Sequence, residues 1–182
     1  CRYALNSTGL KVAVPIARER ADIFVLDFIS GASTPITRKD INHQPVWSPD
    51  DSAIIFSKIN TDNETHSIMQ INADGSGTAK KLYETDTPIT PEGWASDGTK
   101  VTIVNWPTVT GFLDLMSDPP TFTELASSDG TSIFGINFSP NGKWISFGSS
   151  ITGGYSSYIA PLDKPDQAIL ISKIHKGEEP MW

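Results

Sequence analysis

The sequence predicts an all-β fold: a β-propeller of four-stranded antiparallel blades, with about four blades and the first strand of a fifth. Three observations predict it. A short aromatic and turn phrase recurs along the 182 residues. Each copy leads into apolar residues at alternate positions, the period of a β-strand. No segment carries a sustained apolar stripe of 3.6-residue period, the mark of an amphipathic helix.

The phrase reads Gln44-Pro45-Val46-Trp47-Ser48-Pro49-Asp50-Asp51, then Pro91-Glu92-Gly93-Trp94-Ala95-Ser96-Asp97-Gly98, then Gly135-Ile136-Asn137-Phe138-Ser139-Pro140-Asn141-Gly142. Its opening returns at Glu179-Pro180-Met181-Trp182, and a degenerate copy stands at Leu5-Asn6-Ser7-Thr8-Gly9. The anchors Trp47, Trp94, Phe138 and Trp182 are 47, 44 and 44 residues apart. This is first-strand material ending in a hairpin turn. Asn and Gly tolerate positive φ there, Asp and Ser side chains bond nearby N–H groups, and Pro49 and Pro140 end the ladder. The turn acids are therefore structural, and the aromatic anchors are packing residues between blades.

Second strands follow, with Val12 and Val14, Ile54 and Phe56, Val101 and Ile103, and Ile145 and Phe147 on one face. Ala13, Ile55, Thr102 and Ser146 lie between them, on a face expected to be less fully buried. Third strands are read at 23–26, 68–71, 112–115 and 158–162, and fourth strands at 35–37, 81–83, 122–125 and 169–171. Four strands repeating every 40–45 residues or so describe a propeller blade, which buries its faces by stacking on its neighbours. The expected blades are 1–40, 41–86, 87–130 and 131–175, with 176–182 opening the next. On this count the chain is an incomplete ring.

Composition limits the function. The chain has 21 acidic and 14 basic residues, a net charge of −7. This argues against general nucleic-acid binding, which needs a basic footprint. No apolar run approaches the roughly 20 residues of a membrane span. The single cysteine, Cys1, excludes an internal disulfide framework, and His43, His66 and His175 are too scattered for a histidine metal cluster. There is no G-x-S-x-G elbow, P-loop, G-x-G-x-x-G or H-E-x-x-H. Asn60-Thr61-Asp62-Asn63-Glu64 alternates oxygen ligands but lacks the glycine and spacing of a calcium loop. No metal and no cofactor is expected. Gly75-Ser76-Gly77 and Gly153-Gly154 read as loop tips.

Pro45 to Phe56, Trp94 to Val104, Phe138 to Phe147 and Glu179 to Trp182 together resemble the WD40-like repeats of TolB-like propellers. The resemblance covers essentially the whole chain. It implies a ring that is usually six-bladed and an exported, periplasmic setting. Such repeats serve as a scaffold of the Tol system, as domains of bacterial kinases and regulators, as oligopeptidase propellers and as polysaccharide lyases. The repeat's signature residues are scaffold, so function has to come from the loops.

In a propeller, the loops from a fourth strand to the next first strand share one face with those joining strands two and three. That face would carry Asp40, Asn42 and His43, then Glu92, Asp129, His175, Glu178 and Glu179, joined by Trp106. It is acidic and suits a cationic or polar peptide. The expected function is a non-catalytic scaffold that binds a protein, peptide or other ligand, without nucleic acid or membrane insertion and with no catalytic residue. A sensor domain, or the propeller portion of an oligopeptidase or polysaccharide lyase, is the alternative. Cys1 is read as a fragment boundary, with a lipidated N-terminus the other possibility.

Overall fold

The computed structural model describes residues 2–17, 20–105, 109–126, 133–149 and 156–173. Among them are sixteen strands and no helix, arranged as four antiparallel four-stranded meanders. The first sheet comprises β1 (Ala4–Leu5), β2 (Lys11–Ala17), β3 (Ala21–Asp27) and β4 (Ser33–Pro35). The second comprises β5 (Ile41–Trp47), β6 (Ala53–Ile59), β7 (His66–Asn72) and β8 (Lys80–Thr85). The third is β9 (Ile89–Trp94), β10 (Lys100–Asn105), β11 (Val109–Asp114) and β12 (Thr121–Ala126). The fourth is β13 (Ile133–Phe138), β14 (Trp144–Ser149), β15 (Ser156–Pro161) and β16 (Ile169–Lys173). Two compact units result, Cys1–Pro91 and Glu92–Trp182.

The recurring phrase builds the same turn in every sheet. The N–H groups of Gly9, Asp51, Gly98 and Gly142 each donate to the carbonyl three residues back, on Asn6, Ser48, Ala95 and Ser139. All four donors have positive φ, between 59° and 76°. The residue before each supplies an acceptor. Asp50, Asp97 and Asn141 take the N–H two residues on, at 3.1, 2.9 and 3.0 Å. Asp50 also accepts from the Ser48 and Ser52 hydroxyls, and these donors, Ser48 first, pull its pKa down to about 2. The turn acids are structural, as their spacing predicts.

Asp51 departs from the pattern, because the other three sheets place glycine there. Its carboxylate compensates for the left-handed backbone by reaching the first sheet. It accepts from the Ser7 N–H (2.9 Å), the Ser7 hydroxyl (2.7 Å) and the Asn6 amide (2.9 Å). Asp51→Ala loses all three bonds and keeps the strain, so it should cost about 2 kcal/mol. Asp51→Gly loses the bonds but relaxes the backbone, so it should cost roughly half as much. Urea unfolding of the pair checks the order; equal losses would mean that the left-handed backbone carries no cost.

The second strands correct one expectation. Val12 and Ala13 in β2, Ile54, Ile55 and Phe56 in β6, Val101, Thr102 and Ile103 in β10, and Ile145, Ser146 and Phe147 in β14 are all buried. Both faces are buried, where the alternation predicts one less fully buried than the other. A sheet lying in a stack needs apolar or small hydrogen-bonded residues on each side. Thr102 satisfies its hydroxyl on the Gly93 carbonyl at 3.2 Å.

In the first unit the core unites β2, β3, β5, β6 and β7 through Ala13, Ile23, Val25, Trp47, Ile54, Phe56, Met69 and Ile71, with Ile36 following β4. Trp47 works as the predicted inter-sheet packer: it is buried, and its indole N–H donates to the Ala4 carbonyl of β1 at 2.8 Å. In the second unit Phe112, Ile136, Ile145, Phe147, Tyr158 and Ala160 form the core, with Phe138 packed against it. Trp94 is half-buried and turns its N–H back to Gly98 of its own hairpin. Cys1 and Trp182 lie outside the described residues.

The Tyr158 ring stacks on Phe147 with centroids 5.6 Å apart, and its hydroxyl is buried with no partner among the described residues. Tyr158→Phe removes an unsatisfied polar atom and should raise stability by up to about 1 kcal/mol, read from the thermal midpoint. A loss of similar size would mean that the hydroxyl has a partner.

Candidate functional site

Backbone strain singles out the second sheet. Among the described residues, four non-glycine residues have positive φ: Asp40 (65°), Gln44 (53°), Asp51 (59°) and Glu64 (59°). All belong to the stretch that leads into β5, turns into β6 and leaves it. Left-handed backbone costs a residue with a Cβ of order 1 kcal/mol, and such residues concentrate at binding sites. Asp51 is explained by its bonds to the first sheet. Glu64 closes the β6–β7 loop, where its N–H donates to the Asn60 carbonyl. The Asn60 side chain accepts from Asp62, and Asn63 from Thr65. This loop satisfies itself.

Asp40 and Gln44 bracket a different segment. The Asp40 carboxylate meets the Lys58 ammonium at 2.8 Å. Asn42, 2% exposed, donates to the Lys39 carbonyl at 2.6 Å and fixes the entry to β5. His43 stands opposite Ser57 in the β5–β6 ladder, which then shifts register between His43 and Val46. β13 has the same irregularity between Phe134 and Asn137, with Gly135 in the left-handed conformation. Gln44 therefore does in β5 what a glycine does in β13. Its Oε1 is buried and has no partner among the described residues. Beside this segment runs a groove of about 510 Å³, floored by Phe56, Met69 and Ile71 and rimmed by Arg38, Lys39 and Asp40.

His43 is half-buried, and burial, followed by the nearby His66, lowers its pKa. Its neutral form is the one the fold accommodates. Stability should therefore fall as the pH drops below about 6.5, where the unfolded chain binds the proton first. His43→Gln should flatten the change in urea midpoint between pH 7.5 and 5.5; an unchanged slope would exclude His43 as its source.

The sequence points to nine loop-face residues, and the described residues contain four of them, Asp40, Asn42, His43 and Glu92. Asp40 and His43 stand together at the start of β5. Glu92 sits half-buried on β9 in the other unit. Trp106, Asp129, His175 and Glu178 lie outside the described residues, as do Glu179 and Gly153-Gly154. Gln44 is the residue that sequence reasoning misses. The sequence carries no signal for it, because the copies place Gln44, Pro91 and Gly135 at this position with no shared residue type.

Ser57, across from His43, is 1% exposed and donates its hydroxyl to the Ile89 carbonyl at 2.6 Å, so it has no proton to give the imidazole. The carboxylates of Asp27, Asp50, Asp74, Glu84, Asp97 and Asp114 are all shifted downward by hydrogen bonds, from Lys81 of its own strand first for Glu84 and from turn or cross-strand partners for the others. Each is a settled anion, where a general acid needs a raised pKa. Among the described residues no three His, Cys, Asp or Glu side chains converge as a metal site would require.

Solved structures give this architecture a precedent. The TolB of Acinetobacter baumannii superposes with a TM-score of 0.76 at 18% identity, over 99% of this chain and 45% of that one. A TolB structure from Agrobacterium tumefaciens gives 0.76 at 20% identity, over 97% and 63%. The fold is that of a TolB-like β-propeller. The chain spans less than two thirds of either TolB chain. The same fold recurs in an oligogalacturonate lyase in complex with manganese (TM-score 0.74, 10% identity, 93% of this chain and 52% of that one). It recurs in a prolyl endopeptidase (0.74, 16%, 97% and 29%) and in a nidogen/laminin complex (0.67, 15%, 95% and 62%). No protein-family model matches the sequence, and no curated protein matches it.

Proposed function

We propose that this chain is a non-catalytic binding segment of a TolB-like propeller that holds a protein or peptide partner on the loop face of its blades. The observation that carries this reading is the Asp40–Gln44 segment. Two left-handed residues bracket a half-buried histidine, beside a groove rimmed by Arg38, Lys39 and Asp40. Among the described residues the hydroxyl opposite this histidine, Ser57, is committed to the Ile89 carbonyl. The nidogen/laminin neighbour supports protein binding as a use of the fold. An exported, periplasmic location belongs to the same proposal and rests on the TolB likeness.

The blades 1–40, 41–86, 87–130 and 131–175, and a loop face completed by Glu92, Trp106, Asp129, His175 and Glu178, are part of the proposal. Capture from an extract of the source cell tests it. A partner held by the chain should be lost, with affinity down about tenfold or more, in the Asp40→Asn, His43→Ala, Glu92→Gln triple variant. A partner retained by that variant would place binding elsewhere. The lyase and endopeptidase neighbours favour a second reading, in which the chain is the propeller portion of an enzyme. Turnover of an oligogalacturonate or of a proline-containing peptide by the full-length protein would establish it and displace the first.

A further inference from the structure

The other end of the first two sheets carries an anomaly that turn chemistry does not explain. The β3–β4 hairpin is built by Asp27, whose carboxylate accepts the N–H groups of Ile29 and Ser30 at 2.9 Å, and by Gly31 at φ 71°. Residues 28 and 29 need only backbone groups for this. Yet they are Phe28 and Ile29, which are 59% and 76% exposed, and Leu10 of the neighbouring β1–β2 hairpin is 44% exposed. Phe28 and Leu10 are joined by a backbone hydrogen bond, so the three form one patch. The second sheet places Ala73 and Asp74 at the positions of Phe28 and Ile29, each pair following a backbone bond to the adjoining hairpin. Exposed apolar residues gathered in one place mark an interaction surface.

This patch borders a groove of about 690 Å³, walled by Leu10 and Ile29, with Trp47 beneath and Asp74 opposite. The size is that of a pocket for a few side chains. Its charge is one-sided. Asp27, Asp51 and Asp74 bring three carboxylates. The one cation of the lining, Lys11, stands 3.8 Å from Asp27. Hydrogen bonds from Ser30 to Asp27 and from Ser76 to Asp74 lower the pKa of both carboxyl groups. An apolar wall facing surplus negative charge complements a side chain of each kind.

We propose that the groove between the β1–β2 and β3–β4 hairpins of the first sheet and those of the second docks a peptide segment in which an aliphatic side chain adjoins lysine or arginine. The aliphatic group covers Leu10 and Ile29, and the cation faces Asp74. This surface lies at the opposite strand ends from Asp40 and His43 and does not depend on the loop-face reading.

The test is an NMR titration of the ¹⁵N-labelled chain with the peptide acetyl-Gly-Ser-Leu-Lys-Leu-Ser-Gly-amide, and with the same peptide carrying Glu for Lys. The lysine peptide should shift the Trp47 indole N–H and the amides of Ile29 and Asp74 at millimolar concentration. The glutamate peptide should leave them in place. Ile29→Ser changes an exposed residue. Asp74→Asn keeps the oxygen that accepts the Ser76 N–H at 2.8 Å and removes only charge. Each should weaken the lysine peptide about fivefold or more, while Asp40→Asn changes nothing. Equal response to both peptides, no response at these three reporters, or binding untouched by both variants overturns the proposal. So do shifts that grow with protein concentration alone, which would assign the patch to contact between copies of the chain.

Discussion

Gly111→Ala is expected to cost about 3 kcal/mol or more, enough to leave little of the second unit's folded population at moderate urea. Gly111 lies in the middle of β11 at a register shift in its pairing with β12. A methyl group there would be driven into the Thr123 carbonyl oxygen, with the Phe122 ring at 2.8 Å and the Glu124 Cα at 3.0 Å. Two of these three neighbours are backbone held in the β11–β12 ladder, so a side-chain rotation cannot make room. The strands must part. Gly98 supplies the contrast. It has φ 76° and nothing within 4 Å of an added methyl, so Gly98→Ala pays only for backbone conformation, about 1 kcal/mol. Urea midpoints of the two variants measure the difference. If Gly111→Ala were the milder of the two, the close approach of β12 would be wrong.

Phe56→Ala is expected to cost about 3 to 5 kcal/mol, the range for emptying a fully buried aromatic site. Phe56 is 1% exposed on β6 and shares a core with Trp47 and Met69 of its own sheet and with Val25 and Ile36 of the first. Its removal opens a cavity along the contact between two sheets, where a rigid ladder on each side limits collapse. Phe56→Leu keeps most of the volume and should cost nearer 1.5 kcal/mol. Tryptophan fluorescence offers a local reading, because Trp47 belongs to the same core. A loss below about 1 kcal/mol for the alanine variant would mean that the two sheets do not share this packing.

The repeat and its strand order were legible because they rest on side-chain alternation and on turn chemistry, both local. Asp97-Gly98 and Asn141-Gly142 can be read as turns without knowing what lies beside them. Burial on both faces of the second strands was not legible. Thr102 and Ser146 look like surface residues until a second sheet is placed over them and a carbonyl such as that of Gly93 takes the hydroxyl. The candidate site was legible in part. Asp40 and His43 follow from the topology, which brings each fourth-to-first connection to one end of the blade. The left-handed Gln44 and its stranded oxygen depend on a bulge, which only the register of β5 on β6 exposes. Asp51 could be found as a glycine position filled by aspartate, but not the Asn6 and Ser7 groups that it binds.

The shortest strand carries the last consequence. β1 makes only two ladder pairs, Ala4 with Ala13 and Leu5 with Val12. By itself such a strand would fray in nanoseconds to microseconds, and its amides would exchange almost freely. Its firmest holds come from another sheet: the Trp47 indole on the Ala4 carbonyl, and the Asp51 carboxylate on Asn6 and Ser7. The opening of β1 is thus tied to the opening of the β5–β6 hairpin. In the first unit the cooperative unit therefore does not coincide with the repeat, because the β5–β6 hairpin latches β1 of the preceding sheet.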